Sequence, residues 1–268
     1  MASPDPIAWF GGRLATGLVD VTRDRSALDG AGWWAVVAGF EGDLVCARFA
    51  DVRDAPLPPA TWAGVPRHAW ATSVGRDRYV AAVDRVREEI AAGEVYQVNV
   101  CRVLSAEAPA GADVVGLARL LAGGNPAPYA GVVRIPAYDV HVATASPELF
   151  LRRAGDVVES GPIKGTGRTV DDLTAKDRAE NVMIVDLVRN DLGRVAVTGS
   201  VEVPGLCEVE AHPGLVHLVS TVRARLRPGA GWADLLAATF PPGSVSGAPK
   251  SSALRIIGEL EPVPRGPY

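Results

Sequence analysis

The chain has 268 residues, 48% of them hydrophobic, enough for a sizeable core in one large domain or two small ones. A formal net charge of -4, with no Lys/Arg run, excludes a nucleic-acid backbone as partner. Three widely spaced cysteines exclude a disulfide framework, and no apolar stretch reaches the roughly 18 residues of a membrane span, so a reducing, cytoplasmic setting is expected.

Residues 33–37 and 43–49 read as short strands around the loop Gly39-Phe40-Glu41-Gly42, making residues 1–60 a β-rich N-terminal subdomain. Pro56, Pro58, Pro59, Gly64 and Pro66 mark a connector and a seam. A second domain is expected over 76–268. It opens with a helix over 76–92, whose Tyr79, Val83, Val86 and Ile90 share a face and whose C-cap is Gly93. Residues 94–106 alternate as a central strand would. A helix over 114–122, the turn Gly123-Gly124-Asn125-Pro126 and a strand over 129–135 come next. The run 139–152 reads as one long strand, closed by the turn Ala154-Gly155-Asp156 and returning from Val157. Further along, helices are predicted over 175–188, 232–239 and 251–260, and strands over 195–197, 201–203 and 217–226. Strands in groups, with helices between the groups, favour an α+β fold. Pro262, Pro264 and Gly266 lead to Tyr268 as if towards another element, so a chain truncated at its C-terminus is expected.

Three places carry possible chemistry. The long hairpin folds its ends together, bringing Glu148 towards Lys164 in Gly161-Pro162-Ile163-Lys164-Gly165-Thr166, where flanking glycines permit close approach of a ligand. An ordinary solvated lysine in a turn fits the same residues. On a helical wheel of about 100° per residue, Met183, Ile184, Leu187 and Val188 form an apolar arc with Glu180 in its middle and Asp177 beside it. Such acids must be paired, protonated or bound to a metal; an internal salt bridge and a magnesium site both answer. His217 shares a strand face with Val219 and Thr221, as a hydrogen-bonded core histidine or as a proton-transfer group. The loop 240–252 ends at Lys250 before a helix and suits an anion, although the Gly-Lys-Ser/Thr of a P-loop is absent.

The segments GEVYQVNV, SPELF, GPIKGT, DRAENVMIVDLVRNDLGRVAV, HLVST, FPPGSVSGAPK and PRGPY occur in that order. In this the chain resembles the chorismate-utilising enzymes, the family of the anthranilate, aminodeoxychorismate, isochorismate and salicylate synthases. The resemblance implies two packed antiparallel sheets with outer helices and an active site between them. It implies aminodeoxychorismate synthase component I chemistry, because that group carries a lysine at the position of Lys164 where the relatives have alanine. Lys164 then attacks C2 of chorismate and ammonia adds at C4, giving 4-amino-4-deoxychorismate for p-aminobenzoate and folate. Gln97 stands where water-using relatives place a lysine, which points to ammonia as nucleophile. By the same resemblance Glu148 is the general acid or base, and His217 positions or protonates the substrate. Gly165, Thr166, Ser244, Ser246, Gly247, Ala248 and Tyr268 contact substrate, while Glu180, supported by Asp177, binds Mg2+. A glutamine amidotransferase subunit supplies the ammonia. Anthranilate, isochorismate or salicylate synthesis, and an inactive chorismate-binding fragment, are the rival readings.

Overall fold

The computed structural model describes residues 4–124 and 126–267. Its helices are α1 (Arg76–Ala91), α2 (Val114–Gly124), α3 (Ala175–Gly193), α4 (Trp232–Thr239) and α5 (Lys250–Leu260). The longer strands are β1 (Ile7–Phe10), β2 (Arg13–Thr22), β3 (Trp33–Ala38), β4 (Leu44–Asp54), β5 (Tyr129–Ile135) and β6 (Val140–Ser146), then β7 (Leu149–Ala154), β8 (Val157–Gly161), β9 (Ile163–Gly167), β10 (Glu202–His212) and β11 (Leu215–Arg225). Helices and antiparallel sheets in separate groups make this an α+β fold. The chain forms two compact units, the first holding residues up to Thr72, Leu104–Pro147 and the segment from Arg265, the second holding Ser73–Val103 and Glu148–Pro264.

The first unit is one antiparallel sheet in the order β3-β4-β2-β1-β5-β6. Neighbours in sequence point to opposite faces of a strand. Accordingly Ala8, Ala15 and Val133 join Ala35, Ala47 and Phe49 in one apolar cluster, while Ile7, Leu14 and Val132 pack with Val115 and Ala118 of α2 in another. The strands β1 and β2 escape the sequence reading because β1 is a solid apolar run and β2 is interrupted by Gly17 at φ 68.

The second unit is built on β11, which pairs with β8 and β9 along one edge and with β10 along the other. Helix α3 buries Ile184, Val185, Val188 and Leu192 against Val158, Val222 and Ala224, each large side chain contributing about 1.5–3 kcal/mol by leaving water. Val86 of α1, Val95 and Ile256 of α5 form a smaller cluster.

Three expectations are corrected. The run 139–152 is two strands, β6 in the first unit and β7 in the second, because Pro147 between them has no N–H to continue a ladder. Residues 94–106 are extended but contain only the strand pieces Gln97–Val98 and Leu104–Ser105. Their backbone changes partner every few residues, Tyr96 N–H donating to Ala248 O (2.7 Å), Asn99 N–H to Ser246 O (2.9 Å) and Cys101 N–H to the Glu261 carboxylate (2.7 Å). Finally, the short strand expected at 201–203 is the eleven-residue β10, whose register on β11 shifts around Gly205 and around Cys207 at φ 55, so its side chains do not alternate simply.

Candidate active site

The site begins with an irregularity in β9. Ile163 pairs with Val219 and Thr166 with His217, so three steps along β9 span two along β11, and Gly165 absorbs the extra residue at φ 95. On one side of this bulge, Lys164 Nζ donates to the carbonyl of Ser244 at 3.2 Å. The same carbonyl accepts from Asn99 Nδ2 at 3.0 Å, and the Ser244 hydroxyl donates to the carboxylate of Glu148. Glu148 also accepts from the backbone N–H of Ile163. Burial pushes its carboxyl above the usual range, and the Ser244 hydroxyl, the Lys164 charge and the Ile163 N–H pull it back in part. Gln97 Nε2 donates to Asn99 Oδ1 at 3.1 Å, while Gln97 Oε1 is buried with no hydrogen-bond partner. A lysine, a carboxyl, a hydroxyl and two amides thus form one hydrogen-bonded cluster.

On the other side of the bulge, Thr166 Oγ1 and His217 Nδ1 are 2.9 Å apart. His217 is 7% exposed. Burial, and then the charge of His212, hold its imidazole below the ordinary 6.5, against the pull of Glu210. It is therefore a neutral ring at neutral pH, able to give or take a proton. Thr166 lies two residues from Lys164 on the same strand, across the bulge.

Helix α3 differs from the wheel drawn on its sequence. Its buried stripe is Asn181, Ile184, Val185, Val188, Asp191 and Leu192, which turns Glu180 to the edge of the packed face rather than its middle. Glu180 pairs with Lys176 at 2.9 Å, and Asp177 closes a capping box with Thr174, accepting from its N–H (2.8 Å) and hydroxyl (2.6 Å). Besides Asp191, the buried polar group of this stripe is Asn181, 1% exposed, which donates to Leu218 O at 3.0 Å and accepts from the Ser220 hydroxyl at 2.5 Å. A Cβ at Gly165 would meet Asp177 Cβ at 2.8 Å, so this glycine seats the first turn of α3 against β9. Among the described residues no group of three His, Cys, Asp or Glu side chains is placed to hold a metal. Asp177 and Glu180 stand one turn apart on α3, the first engaged with Thr174 and the second with Lys176.

In the loop 240–252, Lys250 is not poised for an anion. Its Nζ donates to Asp191 Oδ2 at 2.6 Å and Thr239 O at 3.0 Å, beside an open groove of about 1030 Å³ lined by Tyr96, Met183, Leu187, Phe240 and Leu254. Ser246, fully buried, gives its hydroxyl to Pro242 O at 2.9 Å. Gly247 lets the chain touch the carbonyl of Gln97, where a Cβ would come within 2.2 Å, and Ala248 is buried beside it. Tyr268 lies outside the described residues. Sequence reasoning missed Asn99, Asn181 and Ser220 as members of these networks, since a small polar residue carries no pattern until its partners, up to 145 residues away, are in place.

The chain matches the family model described as chorismate binding enzyme over residues 44–268. It is 43% identical over 205 residues to an anthranilate synthase component 1 of Haloarcula marismortui, covering 72% of this chain and 41% of that protein. To an aminodeoxychorismate synthase component 1 of Salmonella typhimurium it is 41% identical over 212 residues, covering 75% and 46%. This chain thus spans less than half the length of these relatives. Among solved structures it is similar to anthranilate synthase component I of Streptococcus pneumoniae (TM-score 0.72, 24% identical, 92% and 69% covered) and to the menaquinone-specific isochorismate synthase of Escherichia coli (TM-score 0.73, 16% identical, 98% and 74% covered).

Proposed function

Because the chain belongs to the chorismate-binding enzyme family, we propose that it carries the catalytic part of an aminodeoxychorismate synthase component I. The observation that carries this reading is Lys164 held on the Ser244 carbonyl while the Ser244 hydroxyl holds Glu148. A nucleophilic amine and a proton-transfer carboxyl are thereby set side by side.

In this reading Lys164 first passes a proton to Glu148, its freed amine forms a bond to C2 of chorismate, both ring double bonds shift, and the C4 hydroxyl leaves with that proton as water. A raised carboxyl is suited to that donation. Ammonia then bonds to C4, the two double bonds shift back and the Lys164 amine is expelled, giving 4-amino-4-deoxychorismate. Glu148 takes the surplus proton. Gln97 Oε1, a buried acceptor without a partner, suits an N–H of the incoming ammonia. Thr166 and the neutral His217 orient the substrate beside the bulge, and Gly165 leaves the backbone open there. Glu180 and Asp177 would hold magnesium, which when bound neutralises a substrate carboxylate. A glutamine amidotransferase partner would supply the ammonia. Among the described residues no helix is long and apolar enough to cross a membrane.

Relatives named anthranilate synthase are as similar as those named aminodeoxychorismate synthase, so anthranilate synthesis is the rival reading, and Lys164 is what sets it aside. Incubation with chorismate, magnesium and ammonium, with products separated by chromatography and the intact protein weighed after omission of ammonium, tests the choice. A covalent adduct on Lys164 and an aminodeoxychorismate product are expected. No adduct together with an anthranilate product would sink the proposal.

A further inference from the structure

We propose that His212 is a positioning residue that keeps His217 in its neutral form by sharing one strand face with it at the end of the β10–β11 hairpin. This rests on the reading of His217 as the imidazole that serves the substrate. The two histidines are five residues apart in sequence, a spacing that suits neither a helical pair nor a single strand face. A two-residue loop, Pro213-Gly214, brings them together: His212 pairs with Leu215 across the hairpin and Glu210 with His217. Residue 212 is then the diagonal neighbour of residue 217 on the same face. Their ring centroids are 5.0 Å apart, with planes inclined at 62°.

The surroundings of the two rings differ. His212 Nε2 is buried, makes no hydrogen bond and lies 3.6 Å from Glu210 Oε2, a carboxylate at the wet end of the hairpin. A buried imidazole nitrogen left without a partner calls for an explanation. Glu210 faces both rings, its carboxylate 3.6 Å from His212 Nε2 and its Cα opposite that of His217, while Thr166 at Nδ1 of His217 is uncharged. On the same face, β11 places Leu215 and Val219 beside His217, with Thr221, Arg223 and Arg225 farther along, β10 adds Glu208 opposite Val219, and α3 packs against the opposite face through Leu218 and Ser220. From the elements packed around it, Glu210 and His212 are the charged groups that act on His217. At a ring separation of 5.0 Å a charge on one imidazole disfavours a charge on the other, so His212 helps the site-facing ring keep its free lone pair.

The chain has four histidines, so each can be followed by NMR of isotope-labelled imidazole through a pH titration. In His212→Phe and His212→Gln, the midpoint of His217 is expected to move upward, while those of His68 and His141 stay in place and report that the fold is intact. Should the phenylalanine variant lose its dispersed spectrum, the glutamine variant gives the reading. A His217 midpoint unmoved in both variants would overturn the proposal. The acid limb of the pH profile of kcat/KM should move upward in parallel. If His217 moves and that limb does not, the histidine pair stands and the role of His217 in turnover falls.

Discussion

Replacing Gly165 by alanine tests whether the bulge in β9 is what joins the lysine strand to the acidic helix. Two costs fall on one methyl group. The backbone at φ 95 is a conformation that side chains rarely adopt, costing on the order of 1–3 kcal/mol. The new Cβ would also sit 2.8 Å from Asp177 Cβ and 3.3 Å from Leu218 Cβ. Neither neighbour is the end of a flexible side chain, so α3 or β11 must shift, at about 1–3 kcal/mol for overpacking. The sum, roughly 2–6 kcal/mol, compares with a whole-domain stability of about 5–15 kcal/mol, so the protein folds but is weakened. Gly155→Ala is the control. That glycine has φ 64 but nothing within 4 Å of its Cβ, so only the conformational cost of about 1–2 kcal/mol applies. The difference between the two variants in urea unfolding isolates the contact with α3. Because Asp177 and Glu180 move with the helix, turnover of chorismate should fall by about 10²-fold for a displacement near 1 Å, while Gly155→Ala stays close to wild type. Equal losses of stability in both variants, with turnover unchanged in Gly165→Ala, would refute the argument that this glycine seats the helix.

Other outcomes follow from the same networks. Lys250→Met leaves the carboxylate of Asp191, 5% exposed, buried without its partner, and should cost about 3–5 kcal/mol at neutral pH, most of it recovered in the double variant with Asp191→Leu; a chemical-denaturation cycle with additive losses would contradict this. Burial already holds the Asp191 carboxyl above its ordinary range, so its ionised form is the unfavourable one in the folded state. The penalty in Lys250→Met should therefore shrink as pH falls and Asp191 takes a proton. Glu148 has the same sign: with its folded carboxyl raised, folding is favoured by protonation below the unfolded value and loses that contribution as pH rises through the folded one. Glu148→Gln should accordingly melt higher than wild type at pH 8, the gap closing towards pH 4, while turnover is lost. Asn181→Ala removes the acceptor of the Ser220 hydroxyl and a donor to the Leu218 carbonyl, costing about 1–3 kcal/mol, as thermal unfolding would show.

How much of this could be read from the residues depends on the distance over which each pattern acts. The helices α1, α3, α4 and α5 were legible to within a few residues because apolar spacing and capping signals lie within one or two turns. The class, α+β, followed from the grouping of those elements, and the ordered motifs named the family that residues 44–268 match. Strand identity was less legible. The run 139–152 alternates without a break in pattern, yet Pro147 hands it from one sheet to another, and periodicity cannot say which partner a strand finds.

Within the site, sequence alone singled out Lys164 and Glu148 as the ends of a folded segment, and chain connectivity nearly forces that proximity. What only the tertiary structure decided is how each group is held. Lys164 sits on a carbonyl 80 residues away, at Ser244, and Lys250, the other candidate cation, is consumed by Asp191. Glu180 lies at the rim of α3, because the stripe that packs is chosen by the sheet it meets and not by the wheel alone. The physical reason is common to all of these. Hydrophobic pattern is a local average that survives without its partners, whereas a hydrogen bond or an ion pair exists only once two distant groups are placed within about 3 Å of each other.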